Sequence, residues 1–204
     1  MVCAIRSPRR AAQRETLGGY VDSMKIGYRI VERFTPTCDG WAKYVDWSGL
    51  SHLEEVVGLD GCLCPTLLKA YGEDDWEHHV FAEHLFACFD DQQYATHRVH
   101  EALNADLHQI LALAREPPEV ELMALDLPGF RFMGFDLIEE ATCISALTNC
   151  GGFEGAFLPT DLSPQGLVPA AARAYEIRQS LSTLFPNDPH ADCAVWAVWR
   201  HKTA

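Results

Sequence analysis

Alternation of apolar and polar residues predicts two strands near the ends of the chain. Within residues 25–34, Ile26, Tyr28 and Ile30 alternate with polar positions, which is the pattern of a strand buried on one face. Residues 192–200 are apolar on both alternating faces, which predicts a strand in the centre of a sheet and not at its edge. Both strands are assigned to one sheet.

A turn signal between two further apolar runs predicts an antiparallel hairpin. Pro128-Gly129 is the residue pair of a type II turn, in which proline presets φ and glycine accepts a positive φ. The runs on either side predict strands near 119–126 and 130–138. Pro117 and Pro118 separate this hairpin from the helical pattern before it, because proline lacks the N–H group that a helix needs.

Apolar residues at helical spacing predict the remaining elements. A short helix is predicted after an N-cap at Ser48 or Ser51, and it ends near Gly58. A second helix is predicted over about 75–88, and one or two more over 93–103 and 104–115. A long helix is predicted within 169–185, where Pro186 follows its end. The order strand, helices, hairpin, helix, strand lacks regular βαβ alternation. It favours an α+β fold with an antiparallel or mixed sheet packed against helices, with a wound parallel sheet as the alternative.

Length and composition place these elements in one domain. The chain has 204 residues and 48% hydrophobic residues, which is typical of a globular protein with a single core. Residues 1–14 carry four arginines and no acidic residue, so residues 1–23 are predicted to form a basic, poorly ordered tail, and Met24 offers an alternative start. The single α+β domain is assigned to 24–204.

The net charge of the chain limits the classes of partner that it is expected to bind. Sixteen Lys and Arg against 29 Asp and Glu give a net charge of −13, which disfavours nucleic acid and anionic membranes and favours a basic protein partner. The chain contains neither an apolar stretch long enough to cross a membrane nor a secretory signal, and we expect a cytoplasmic protein. Its eight cysteines are expected to be mostly reduced and buried as small apolar side chains.

A run of acidic residues is the leading candidate for a partner-binding surface. Residues 70–96 contain seven carboxylates and no Lys or Arg, and they include an aromatic anchor. The predicted contact residues are Asp74, Asp75, Trp76, Glu77 and Glu83. We therefore expect an acidic protein-binding domain of the inhibitor or immunity type, with a merely solvated acidic helix as the alternative.

Metal binding is the first competing interpretation. Six histidines lie within residues 78–108, and several have a second metal-ligating residue four positions later, on the same helical face. A zinc or iron site could draw on His79, Glu83 and His84, but one helix supplies only two ligands on a face, and solvated or hydrogen-bonded histidines are the alternative. Otherwise no cofactor is predicted.

Cysteine catalysis is the second competing interpretation. Cys150 lies in a glycine-flanked loop, where it could act as the nucleophile of a hydrolase. His190 would be its base, oriented by Asn149 or Asp192. The alternative is a tight turn made by the glycines. An aromatic cage for a cationic small molecule, formed by Trp41, Trp47 and Trp76, is a further interpretation.

Overall fold

The structure is a computed structural model built around one antiparallel sheet. It describes residues 24–58, 88–102, 107–118, 125–139, 144–148, 155–188 and 191–202. The strands are β1 (Gly27–Glu32), β2 (His108–Arg115), β3 (Phe130–Glu139) and β4 (Cys193–His201). Their order across the sheet is β1-β2-β4-β3, and every neighbouring pair is antiparallel. The α+β fold is confirmed, and β4 is central, as its two apolar faces predict.

Three α-helices are present in the described residues: α1 (Trp41–Ser48), α2 (Gln92–Ala102) and α3 (Ala171–Leu184). Helices α2 and α3 pack on one face of the sheet and contribute the buried side chains Ala95, Val99, Ala174, Ile177 and Leu181 to the main core. None of the helices in these residues is both long and apolar enough to span a membrane.

The opposite face of the sheet carries a second apolar cluster. Its members on the strands are Val31, Leu111, Leu113, Ile138, Ala194, Trp196 and Val198, and Val57, Cys88 and Leu167 pack with them. Burial on both faces explains why β2 and β4 are rich in apolar residues throughout. This second face also carries the polar residues that are described below.

The helix predicted over 104–115 is wrong, because residues 108–115 form strand β2. Seven of its eight residues are buried, so apolar side chains point to both faces. A short, continuous apolar run has the same composition in a buried strand and in a buried helix, and periodicity does not separate them. Pairing with β1 on one side and β4 on the other decides the conformation.

The short helix predicted after Ser48 or Ser51 is also wrong. Helix α1 ends at Ser48, and Gly49, with a φ of +70°, terminates it. The following segment is extended: the N–H groups of Glu54 and Glu55 donate to the Pro164 carbonyl, and that of Val56 donates to the Phe34 carbonyl. These bonds to distant carbonyls take the place of helical ones.

The remaining elements agree with the sequence where they are described. Strands β1, β3 and β4 and helices α2 and α3 lie at the predicted positions. In the predicted turn, Phe130 N–H donates to the Leu127 carbonyl at 3.0 Å, and Gly129 has a φ of +81°. Residues 125 and 126, the described part of the strand predicted near 119–126, belong to no strand. The tail 1–23 and the helix predicted over 75–88 lie outside the described residues, apart from residue 88.

Candidate anion-binding site

A polar pocket lies at one end of the sheet, where β1 and β4 finish and β2 and β3 begin. Its volume is about 300 Å³, which is the lower end of the range for small-molecule sites. The lining residues are Arg33, Glu55, Gln109, Arg131, Arg200, His201 and Lys202. All four strands contribute to the pocket directly or through the residue that follows them, because antiparallel strands bring alternate chain ends to the same edge.

The strand register places the central polar residues on one face. Arg131 of β3 lies directly opposite Arg200 of β4, and Leu111 of β2 lies opposite Arg200 on its other side. Gln109 is two positions from Leu111, so it shares the face of Leu111. Gln109, Arg131 and Arg200 therefore belong to the face that carries the second apolar cluster, away from α2 and α3.

Glu55 is the acidic residue of the pocket, and two arginines hold it. Its carboxylate accepts hydrogen bonds from Arg200 Nη1 and, at 3.3 Å, from Arg33 Nε. The Glu55 side chain is only 8% exposed, and that of Arg200 is 14% exposed. The extended segment that carries Glu55 is fixed by its backbone bonds to Phe34 and Pro164, so this carboxylate is held in place from both ends.

Gln109 supplies a buried amide to the same pocket. Its Oε1 accepts a hydrogen bond from Arg200 Nη1 at 3.2 Å. The residue is fully buried, and its Nε2 has no hydrogen-bond partner among the described residues. A buried N–H group without an acceptor costs about 1–3 kcal/mol, and either a water molecule or a ligand oxygen in the pocket would supply the acceptor.

Positive charge is concentrated in the pocket although the chain is strongly acidic. Among the described residues, four of the sixteen Lys and Arg side chains of the protein line the pocket, against one carboxylate. The charges of Arg33, Arg131, Arg200 and Lys202 less that of Glu55 give 4 − 1 = +3. In the described part of the chain, no ion pair or side-chain hydrogen bond reaches Arg131 or Lys202. Arg131 also lies directly opposite another arginine, an arrangement that is unfavourable unless an anion neutralises it.

His201 adds a weakly basic group to the lining. Burial, and secondarily the positive charge of His100, lowers the pKa of the His201 imidazole below its usual value. Its ring packs edge-on against Phe130, with 5.0 Å between the ring centroids. The lowered pKa favours the neutral imidazole, so the positive charge of the pocket is counted from its arginines and its lysine.

The lining of this pocket is rich in hydrogen-bond donors. Guanidinium, ammonium and amide N–H groups are hydrogen-bond donors, and guanidinium groups match carboxylate and phosphate oxygens in particular. Among the residues that line it there is neither a cysteine nor a serine, and its carboxylate is already engaged by two guanidinium groups. The arrangement of donors in this lining can hold an anion.

A second, more open cleft of about 520 Å³ lies between α3 and the start of β4. Asp192, predicted as an orienting residue, is exposed there, and Cys193 is buried in its wall. Burial, together with the negative charge of Glu116, raises the pKa of Tyr175, which also lines this cleft. Its lining mixes acidic and basic side chains without an excess of positive charge.

The other site residues predicted from the sequence lie outside the described residues. They are Asp74, Asp75, Trp76, Glu77 and Glu83 of the acidic run, His79 and His84 of the metal site, and Asn149, Cys150 and His190 of the catalytic group. Two residues at the end of the acidic run are described: Asp90 and Asp91 are both exposed, and Asp91 Oδ1 accepts the Gln93 N–H at 2.7 Å at the start of α2. Within the described ranges, His, Cys, Asp and Glu form no group of three that could hold a metal ion.

The predicted aromatic cage is described only in part. Trp41 and Trp47 lie on α1, and each contacts Tyr44, with ring centroids 5.9 and 6.2 Å apart. Trp47 is 55% exposed. These rings form a row along the helix, and Trp76 lies outside the described residues.

Sequence reasoning missed every residue that lines the basic pocket, because they are spread from position 33 to position 202 and form no local motif. Two signals were present: a glutamine inside the apolar run of β2, and the basic sequence Arg200-His201-Lys202 after an apolar strand. Neither indicates an anion site until the register of the sheet is known. Comparison of the chain with protein-family models, with curated proteins and with solved structures finds no match in any of the three.

Proposed function

We propose that this protein binds a small anionic molecule in the pocket at the end of its sheet. The observation that carries the proposal is the buried Nε2 of Gln109, which lacks an acceptor among the described residues and lies in a pocket whose described lining has a net charge of +3. Arg131 supports it, because its charge lies opposite Arg200 without a neutralising partner among the described residues. An anion would satisfy the amide and relieve the repulsion at the same time.

The test is a titration with a panel of small oxyanions: acetate, malonate, sulfate and phosphate, each at the same ionic strength. We expect at least one of them to bind the purified protein in isothermal titration calorimetry. Replacement Arg131→Gln should weaken that binding by about tenfold, since one charge-assisted contact is lost.

Lys43→Gln is the matched control. Lys43 is exposed on α1, and its replacement removes the same charge from a different part of the molecule. Its affinity for the anion should equal that of the unchanged protein. Binding of none of the four anions, or an equal loss in the two variants, would contradict the proposal.

We also propose a second function, association with a basic protein partner through the acidic run of residues 73–91. It is favoured by the seven carboxylates between residues 70 and 96, where no Lys or Arg occurs, and by the exposure of Asp90 and Asp91 at its end. Carboxylates gathered around an aromatic residue attract and orient a basic surface. The two functions use opposite charges on different residues, so one protein can have both.

Polylysine serves as the probe for this second function. Neutralising Asp74, Asp75 and Glu77 to the corresponding amides should slow its capture more than neutralising Asp39, Asp46 and Glu54, which are exposed and lie outside the run. Raising the salt concentration from about 50 to 500 mM should reduce the difference, because the Debye length falls from about 14 to 4 Å. Equal rates for the two triple variants would show that the acidic run is not a specialised surface.

A further inference from the structure

We infer that the ligand of the basic pocket carries a phosphate monoester group, and that Glu55 occupies the position where a carboxylate would otherwise bind. This inference rests on the proposed anion-binding function and narrows it to one class of ligand. It follows from which donors of the pocket are already used by the protein and which remain.

Two of the three guanidinium groups that line the pocket already bind a carboxylate of the protein itself. A planar carboxylate is recognised most strongly by guanidinium groups, which can donate to both of its oxygens. In this pocket the carboxylate of Glu55 takes that place: one oxygen faces Arg33 and the other faces Arg200. Because backbone hydrogen bonds on either side fix the Glu55 segment, its carboxylate is a built-in occupant of this position.

Three donor groups of the lining have no acceptor among the described residues, and they lie in or directly after three different strands. They are the guanidinium of Arg131 in β3, the amide Nε2 of Gln109 in β2 and the ammonium of Lys202 directly after β4. A phosphate monoester presents three terminal oxygens, whereas a carboxylate presents two. Each of the three groups can face its own phosphate oxygen, whereas a carboxylate has one oxygen fewer than the number of groups.

The charge of two cations in the pocket also favours a phosphate monoester as the ligand. Arg131 and Lys202 are the two cations of the pocket without a counter-ion in the described part of the chain, and a phosphate monoester carries about −1.5 to −2 at neutral pH. A single carboxylate would leave one of them unneutralised. Arg131 is exposed, so the pocket is open on the β3 side, where the alcohol part of an ester can extend into solvent.

The experiment compares phenyl phosphate, inorganic phosphate, sulfate and acetate on the unchanged protein by calorimetry. We expect phenyl phosphate and phosphate to bind at least tenfold more tightly than acetate, which is roughly one additional charge-assisted contact. Sulfate should compete with them, since it is also tetrahedral and doubly charged. Acetate that binds as tightly as phosphate would overturn the phosphate inference and leave anion binding intact, whereas the absence of all binding would overturn both.

Gln109→Met tests the buried donor. Methionine has nearly the length of glutamine but neither its N–H group nor the oxygen that accepts from Arg200, so it removes the whole amide. The affinity for phosphate should fall by about tenfold while the protein remains folded. Gln179→Met, at an exposed position on α3, is the control and should bind phosphate normally. Lower stability of Gln109→Met with unchanged phosphate affinity would make Gln109 a purely structural residue and overturn its role.

Glu55→Gln tests the built-in carboxylate. Loss of its charge releases Arg33 and Arg200, and acetate should then bind about tenfold more tightly than it binds the unchanged protein. Glu54→Gln removes the same charge at the adjacent, exposed position and should have no such effect. Equal gains in the two variants would show that Glu55 does not block the carboxylate position. If Glu55→Gln does not fold, the ranking of anions on the unchanged protein still decides the ligand class.

Discussion

At Gly134 the backbone of β3 takes a conformation that other residues rarely adopt. Its φ is +139°, and the register with β4 shifts between Phe132 and Gly134. A Cβ atom placed here would lie 2.9 Å from the carbonyl oxygen of Val168 and 3.0 Å from Cβ of Leu167. Glycine therefore allows the strand to bulge while the neighbouring chain packs against it.

Gly134→Ala should lower the free energy of unfolding by about 3 kcal/mol, because a strained φ and a close contact with backbone both add to the cost. Gly155→Ala is the control: Gly155 has a φ of +89°, but no described residue lies within 4 Å of a Cβ atom placed there, so only the strain of about 1 kcal/mol applies. Urea unfolding of both variants measures the difference. Equal losses would mean that the contact with Val168 yields without cost.

At the scale of elements, Asp161 joins a 3₁₀ turn, Pro159–Asp161, to helix α3. Arg173 donates to both carboxylate oxygens, with Nε 3.0 Å from Oδ1 and Nη2 2.8 Å from Oδ2, and Leu158 N–H donates to Oδ2 at 2.7 Å. The hydrogen bonds from Arg173 are the main reason why the pKa of Asp161 lies below its usual value. This pair holds the loop before α3 against the helix.

A double-mutant cycle with Asp161→Asn and Arg173→Lys should give a coupling of about 0.5–1 kcal/mol, since both side chains are partly exposed. Because the folded-state pKa of Asp161 is lowered, the coupling is present above the usual carboxyl pKa and is lost as the pH falls through the lowered value. Unfolding at pH 7 and at acid pH measures it. Glu176→Gln is the control, because Glu176 pairs with Arg173 at a much more exposed position and should change stability little. A coupling independent of pH would contradict this account.

The sequence predicted elements best where only one conformation suits the pattern. Helix α3, with its stripe of Ala174, Ile177 and Leu181, and strand β1, with alternating residues, were both placed correctly. Strand β2 was not, because eight residues buried on both faces carry no periodicity, and only pairing with β1 and β4 determines their conformation. Local patterns cannot report that pairing.

The candidate site could not be predicted for a related reason. Gln109, Arg131 and Arg200 are brought to one face by the register of β2, β3 and β4, and Glu55 reaches them through a segment that was assigned to a helix. A change of one residue in any register would move these side chains to the other face. Net charge is equally uninformative, since a total of −13 is compatible with a pocket of +3.

At the scale of the whole molecule, replacing a cation changes stability in two ways: through the net charge of the protein and through the repulsion between cations that lie close together. Replacing one cation raises the magnitude of the net charge from 13 to 14 wherever the cation lies, and thus increases the general repulsion slightly. At Arg131 the same replacement also removes a cation opposite Arg200, a local repulsion worth about 0.2–1 kcal/mol. The two effects have opposite signs.

We therefore expect Arg131→Gln to be more stable than the unchanged protein in a buffer of monovalent chloride, whereas Lys43→Gln, at an exposed position on α1, should be equal or slightly less stable. Saturating phosphate should reverse the first result, because a ligand that binds only the folded state stabilises it in proportion to the logarithm of its concentration over Kd. Urea unfolding with and without phosphate at equal ionic strength gives both measurements. Two results together would contradict this account: a lower stability of Arg131→Gln in chloride, and a gain from phosphate equal to that of the unchanged protein. Arg131 would then be a structural residue, and the charge in the pocket would be balanced without a ligand.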